Sequence, residues 1–128
     1  MAAFPRPLRP DEQAMLDFML AVDDPRVAPL RAQARHARVV SLCDCGCATV
    51  NLAVDRAAAP MAPGLPYAVV DASRRRPFNG DDFYEMIVFA RDGWLSSLEI
   101  VWYREPISVF PDLATLTEPE VTDNRGFA

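Results

Sequence analysis

The sequence predicts an α+β domain in which two N-terminal helices pack on a largely antiparallel sheet of about five strands. Three observations lead to this prediction. Apolar residues recur at helical spacing between positions 10 and 38, and they alternate with polar residues between positions 50 and 54. Two β-prone runs flank Asp92-Gly93, a residue pair typical of a tight hairpin turn.

The helical part is expected to form two helices. Pro10 suits the first turn of the first helix, which should end by Asp24, before Pro25. In the second helix three arginines recur at i, i+4 and i+7 and should therefore line one face. They are Arg31, Arg35 and Arg38.

A first hairpin is expected from residues 39–43 and 48–55. Between them Asp44-Cys45-Gly46 forms a three-residue turn, with glycine available for the left-handed position. Residues 67–72 read as a third strand, and residues 73–82 as an exposed loop that carries Arg74, Arg75 and Arg76.

The second hairpin joins residues 83–91 and 94–103 across Asp92-Gly93. An unbroken two-residue turn pairs Phe89 with Ser96 and places one set of side chains on the core face: Phe83, Ile87, Phe89, Trp94, Leu98, Ile100 and Trp102. The opposite face is apolar too, with Tyr84, Met86, Val88, Leu95, Val101 and Tyr103. We therefore expect the segment from Ile107, or a partner chain, to cover it.

Length and charge limit the function. A chain of 128 residues fits one domain, residues 1–128, and its ends at 1–9 and 120–128 are expected to be flexible. The net charge of −5 makes nucleic acid an unlikely ligand. The sequence has no apolar run long enough for a membrane span and no secretion signal, and its three cysteines are an odd number, so we expect a cytoplasmic protein.

Three cysteines lie within five residues, and the chain's one histidine precedes them. Cys43, Cys45, Cys47 and His36 are the ligand types of a zinc site with three thiolates and one imidazole, so zinc is the cofactor that the sequence suggests. Other interpretations stand beside it. Cys45-Gly46-Cys47 could exchange disulfides as a dithiol, or Cys43 and Cys47 could face each other across the hairpin and form a reversible disulfide. The cysteines could also pack as small apolar residues.

A second candidate site is a surface for a partner or an anion. The arginines of the second helix and those of the 73–82 loop could together bind a phosphate or an acidic protein surface, and two tryptophans could serve as interface contacts. The residues are Arg31, Arg35, Arg38, Arg74, Arg75, Arg76, Trp94 and Trp102.

Two motifs, C-D-C-G-C at 43–47 and D-G-W-L-S-S-L-E at 92–99, resemble a group of small uncharacterised bacterial proteins, and the resemblance extends over residues 12–114. It implies no activity. Since no catalytic motif is present, we expect a non-enzymatic accessory protein that covers the surface of a protein partner, as immunity proteins and antitoxins do. Assembly into a homodimer is the other expected way of covering an apolar sheet face. The alternative is a zinc-binding or thiol-redox protein that uses the cysteine turn.

Overall fold

The computed structural model describes residues 3–125, and within them two α-helices accompany one seven-stranded antiparallel sheet. The helices are α1 (Pro10–Leu20) and α2 (Ala28–Ala34). The strands are β1 (Arg6–Pro7), β2 (Ala37–Leu42), β3 (Val50–Val54), β4 (Ala68–Ser73), β5 (Tyr84–Arg91), β6 (Trp94–Trp102) and β7 (Glu120–Val121). Their order in the sheet is β1-β2-β3-β6-β5-β4-β7.

The α+β class is confirmed, but the predicted number of strands is wrong. The five longer strands, β2 to β6, correspond to the five that the sequence pattern indicates. The two additional strands are only two residues long and form the edges of the sheet. Two residues are too few for a period-2 pattern, so sequence reasoning could not detect them.

Both terminal segments that were expected to be flexible contain strand residues. Arg6 pairs with Val39 of β2, and its guanidinium donates two hydrogen bonds to the carboxylate of Glu12, at 2.8 and 3.0 Å. Burial raises the pKa of Glu12, but the hydrogen bonds from Arg6 and Arg9 and their charges outweigh burial, and the pKa lies below its ordinary value. At the other end β7 pairs with β4. The rest of the expected flexible ends, residues 1–2 and 126–128, lies outside the described residues.

The second helix is shorter than predicted. Its last residue is Ala34, and the chain enters β2 at Ala37. Leu30 and Ala34 are buried in the core, together with Met15, Leu16 and Met19 from α1. Helix α1 contacts β4 and β5, whereas α2 contacts β6.

The central hairpin has the predicted turn but a different register. Asp92 and Gly93 both have positive φ angles, as a type I′ turn requires, and Arg91 pairs with Trp94. Beyond this pair the ladder contains a β-bulge, because Ala90 pairs with Leu95 but Phe89 pairs with Ser97. Ser96 is the extra residue, so each β6 side chain beyond it shares a face with a different set of β5 side chains from the set that an unbroken ladder gives: Leu98 lies opposite Val88 instead of Ile87.

The bulge corrects the prediction of the core face. The buried side chains of β5 are Met86, Val88 and Ala90, and they lie opposite Ile100, Leu98 and Leu95 of β6. Leu98 and Ile100 were therefore predicted on the right face, whereas Ile87, Phe89 and Trp94 lie on the other one.

The face of the sheet away from the helices is mixed rather than apolar. On β5 and β6 it carries Glu85, Ile87, Phe89, Arg91, Trp94, Ser97, Glu99 and Val101. Burial raises the pKa of Glu85. The segment from Ile107, which was expected to cover the face that carries Tyr84 and Met86, does contact that face. Its Ile107, Phe110 and Leu113 pack against the hydrophobic core, and Thr115 accepts a 2.7 Å hydrogen bond from the hydroxyl of Tyr84, which shares the face of Met86.

The side chain of Gln33 connects α2 to the central hairpin. Gln33 is fully buried, and its amide nitrogen donates to the carbonyls of Pro60 and Gly93 at 2.8 and 2.9 Å. Its amide oxygen accepts from the N–H of Leu95 at 3.0 Å. Three backbone groups around the turn are thereby satisfied by one side chain.

Replacing Gln33 by leucine should therefore destabilise the protein by about 2–4 kcal/mol, because the N–H of Leu95 and the carbonyl of Pro60 lose the bonds that Gln33 supplies. The carbonyl of Gly93 keeps its bond from the N–H of Ala62. Urea denaturation followed by tryptophan fluorescence measures the change. The matched control is Gln13→Leu, since the Gln13 amide donates to the carboxylate of Asp17 at the surface and, at the longer distance of 3.4 Å, to the carbonyl of Ala34. The cost of this variant should stay below about 1 kcal/mol. Equal costs for the two variants would show that the hairpin does not depend on Gln33.

Candidate metal centre

The three cysteines lie in the loop of residues 43–49, which joins β2 to β3. We call it the thiol loop. Its base is closed by a hydrogen bond from the N–H of Cys43 to the carbonyl of Thr49, at 3.3 Å. The hydroxyl of Thr49, a buried residue, accepts from the N–H of Ile100 on β6 at 3.0 Å. The loop is thus attached to the centre of the sheet.

A second attachment comes from the C-terminal segment. The N–H of Ala48 donates to the carbonyl of Ile107 at 2.8 Å. The sequence did not predict that Thr49 and Ile107 hold this loop in place. A threonine beside a predicted strand does not by itself indicate a buried hydrogen-bonding role. The contact between Ala48 and Ile107 spans 59 positions in the chain, so no local sequence pattern predicts it.

Within the thiol loop Gly46 makes the reversal possible. Its φ angle is +90°, and a Cβ built on it would meet no atom within 4 Å. The constraint is therefore the backbone conformation and not a lack of space. The N–H of Gly46 donates to the carbonyl of Cys43 at 3.4 Å, and this turn brings the cysteine side chains to the same side.

The sulfur atoms of Cys43, Cys45 and Cys47 all lie within 4.8 Å of one another. The Sγ atoms of Cys43 and Cys45 are 3.0 Å apart. Cys45 is exposed, whereas Cys43 and Cys47 are half-buried, and Cys47 packs against the hydrophobic core. All three are free thiols.

This spacing fits a metal ion bound by three thiolates. Zinc–sulfur bonds of about 2.3 Å in a tetrahedral site place the sulfurs about 3.7 Å from one another. Three atoms within 4.8 Å of each other can reach that arrangement when Cys43 and Cys45 separate by roughly 0.7 Å. The N–H of Cys47 also donates to the Sγ of Cys45, at 3.4 Å, a contact that stabilises negative charge on a thiolate ligand.

The structure does not bring His36, the predicted fourth ligand, to the cysteines. His36 directly precedes β2 and its carbonyl accepts from the N–H of Asp55, whereas Cys43 follows the other end of β2. Six extended residues separate the two ends by about 20 Å. Among residues 3–125 the metal-ligand cluster contains the three cysteines and no histidine or carboxylate.

The three arginines predicted on α2 do not all share a helix face. Arg38 lies in β2, because α2 ends before it. Arg31 donates to the carbonyls of Leu20 and Val22, at 2.8 and 3.2 Å, so it binds the backbone at the end of α1. Arg35 is exposed and lines a shallow cleft with Arg31.

The arginines after β4 have partners of their own. Arg74 forms an ion pair with Asp82 at 2.6 Å, and its guanidinium also lies over the ring of Tyr84. Arg76 lies over Phe78, and Arg75 is exposed. Arg38 lies in β2 and Arg74 directly follows β4. These two strands are separated by β3, β6 and β5, a distance of about 19 Å across the sheet, and the structure thus divides the predicted anion site.

The two tryptophans lie on opposite faces of β6. Trp94 pairs with Arg91 on the face away from the helices, and the guanidinium of Arg56 lies 5.0 Å from its ring centroid. Trp102 pairs with Tyr84 on the helix side, and both tryptophans are half-buried. They cannot belong to one contact surface on the sheet.

Comparison with known proteins yields no match: no family model, curated protein or solved structure matches the chain. The similarity to small bacterial proteins stays a resemblance. None of the helices in the described part of the chain could span a membrane.

The left-handed backbone conformation of Gly46 in the thiol loop can be tested by substitution. Gly46→Ala should lower the free energy of unfolding by about 1 kcal/mol, because a Cβ disfavours positive φ. Gly80→Ala is the control, since Gly80 also has open space around it but no such φ angle. Its effect should stay within about 0.5 kcal/mol. A Gly46→Ala protein as stable as the control variant would contradict the turn described above.

Proposed function

We propose that the protein binds a zinc-class metal ion through the thiolates of Cys43, Cys45 and Cys47. The observation that carries this proposal is the mutual approach of the three sulfur atoms to within 4.8 Å. Thiolate sulfur selects soft and borderline ions, of which zinc and copper(I) are the biological examples. Hard ions such as magnesium prefer oxygen ligands.

The ligand count favours an accessible site over a closed structural one. Structural zinc sites have four protein ligands, whereas sites with three protein ligands keep one position for water or an external ligand. The chain has three cysteines and one histidine, and that histidine lies at the far end of β2. The fourth position is therefore open to solvent, in line with the exposure of Cys45.

The loop is held in place before any ion arrives. Hydrogen bonds from Cys43 to Thr49, from Ala48 to Ile107 and from Ile100 to Thr49 hold the residues around the cysteines. A ligand set that is partly ordered beforehand loses less conformational entropy on binding. The protein thus acts as an accessible metal-binding module, with no catalytic step assigned to it.

Recognition of a protein partner, or assembly into a homodimer, stays a prediction, and so does cytoplasmic location. The residues predicted for partner contact are divided between two faces and two ends of the sheet. The thiol loop is a single cluster, and for that reason the metal proposal ranks first.

Metal binding is tested by titrating the reduced, metal-free protein with cobalt(II) or cadmium(II) and following the thiolate-to-metal charge-transfer absorption. We expect one ion per chain. Serine at position 43, 45 or 47 should weaken binding more than about 100-fold, because loss of a ligand costs more than the 10–100-fold typical of its outer-shell partners.

His36→Ala is the matched control and should leave the affinity within about twofold, since a change that touches no ligand should not alter the metal's coordination energy. Absence of stoichiometric binding would refute the proposal. Equal losses for His36→Ala and Cys47→Ser would show that the ligand set is wrong.

A further inference from the structure

The distances within the thiol loop distinguish one cysteine pair from the others. The Sγ atoms of Cys43 and Cys45 lie 3.0 Å apart, about 1 Å more than a disulfide bond. Residues two apart in the chain are separated by at most about 7 Å between Cα atoms, which is near the upper limit for a disulfide. This pair can therefore form a bond with a small movement of the loop.

Cys47 is placed differently. It packs against the hydrophobic core, while Cys45 is exposed to solvent. An oxidant in solution reaches Cys45 first, and Cys43 is the thiol already in contact with it. The pair whose sulfur atoms lie 3.0 Å apart, Cys43 and Cys45, therefore differs from both pairs that the sequence suggests, Cys45 with Cys47 and Cys43 with Cys47.

We infer that mild oxidation joins Cys43 to Cys45 and thereby switches off metal binding by the thiol loop. The consequence for the metal rests on the proposed function. Two of the three ligands are consumed by the bond, and Cys47 alone cannot retain the ion, because a disulfide sulfur is no longer a thiolate ligand.

The oxidant is a low-molecular-weight disulfide, RSSR. The thiolate of Cys45 attacks one sulfur of RSSR, the S–S bond breaks, and one RS⁻ leaves and takes up a proton. The thiolate of Cys43 then attacks the Cys45 sulfur of this mixed disulfide and releases the second RS⁻. Two electrons pass from the cysteine sulfurs to RSSR, which ends as two thiols, and the reverse reaction with excess thiol restores the loop.

The bond can be mapped on metal-free full-length protein treated with oxidised glutathione, alkylated with iodoacetamide and digested with a protease that cleaves before aspartate. Asp44 separates Cys43 from the other two cysteines, and the relevant fragments are residues 24–43 and 44–54. A bond from Cys43 links the two fragments, whereas a bond between Cys45 and Cys47 leaves them apart. Mass spectrometry should show the linked product.

Two variants identify the partner of Cys43. Cys47→Ser should still give the linked fragments, and Cys45→Ser should not. The inference is overturned if wild-type protein gives no linked product, or if Cys45→Ser keeps the link and Cys47→Ser loses it.

The consequence for the metal is measured on zinc-loaded protein, by adding oxidised glutathione and following released zinc with a chromophoric indicator. Release should parallel disulfide formation and reverse with excess dithiothreitol. Zinc that stays bound after the bond has formed would overturn the switch. Failure of the reduced protein to bind any ion would instead refute the proposed function, while the fragment mapping would still decide the cysteine pairing.

Discussion

The arrangement of the sheet depends on the β-bulge at Ser96. Because Phe89 pairs with Ser97 while Ala90 pairs with Leu95, the part of β6 beyond Ser96 presents Leu98 and Ile100 to the core. That register also positions β3, which pairs with β6 at Leu98 and Ser97. The bulge therefore determines where the first hairpin lies, and with it the position of the thiol loop.

From β6 the connection to the candidate site is short. The N–H of Ile100 is satisfied by the hydroxyl of Thr49, immediately before β3, and the carbonyl of Thr49 accepts from Cys43. A backbone donor of the central hairpin is thus paired through the base of the loop that carries the sulfurs. The base of the thiol loop thus continues the hydrogen bonding of the sheet. This explains how an exposed loop can hold three cysteines close together.

The parts of the fold that sequence could predict are those that depend on local chemistry. Asp92-Gly93 specifies its turn because both residues tolerate positive φ, and the alternation in residues 50–54 marks β3. The bulge was not predicted because position 96 is a serine, and neither glycine nor proline, the residues that usually indicate an irregularity in a strand, occurs there. Without it, Ile87, Phe89 and Trp94 appeared to face the core.

In the candidate site, too, local features were predicted from the sequence and long-range ones were not. The spacing of the cysteines indicated that their side chains could meet, and the structure brings them together. His36 was assigned to the site by ligand chemistry alone, although the β-prone run of residues 39–43 already predicted extended chain between it and the cysteine turn. The structure extends this strand back to Ala37. The attachment of Ile107 to the loop is a long-range contact and has no counterpart in any short stretch of sequence.

The proposed site has a specific coordination chemistry: three sulfur ligands from one short loop, whose sulfur atoms lie within 4.8 Å of one another, and a fourth position left to solvent. X-ray absorption spectroscopy at the zinc edge of the reduced, zinc-loaded protein tests this most directly. The account predicts about three sulfur atoms at about 2.3 Å and one lighter oxygen or nitrogen neighbour at about 2.0–2.2 Å. A first shell of nitrogen and oxygen alone, or of four sulfurs shared between chains, would contradict it.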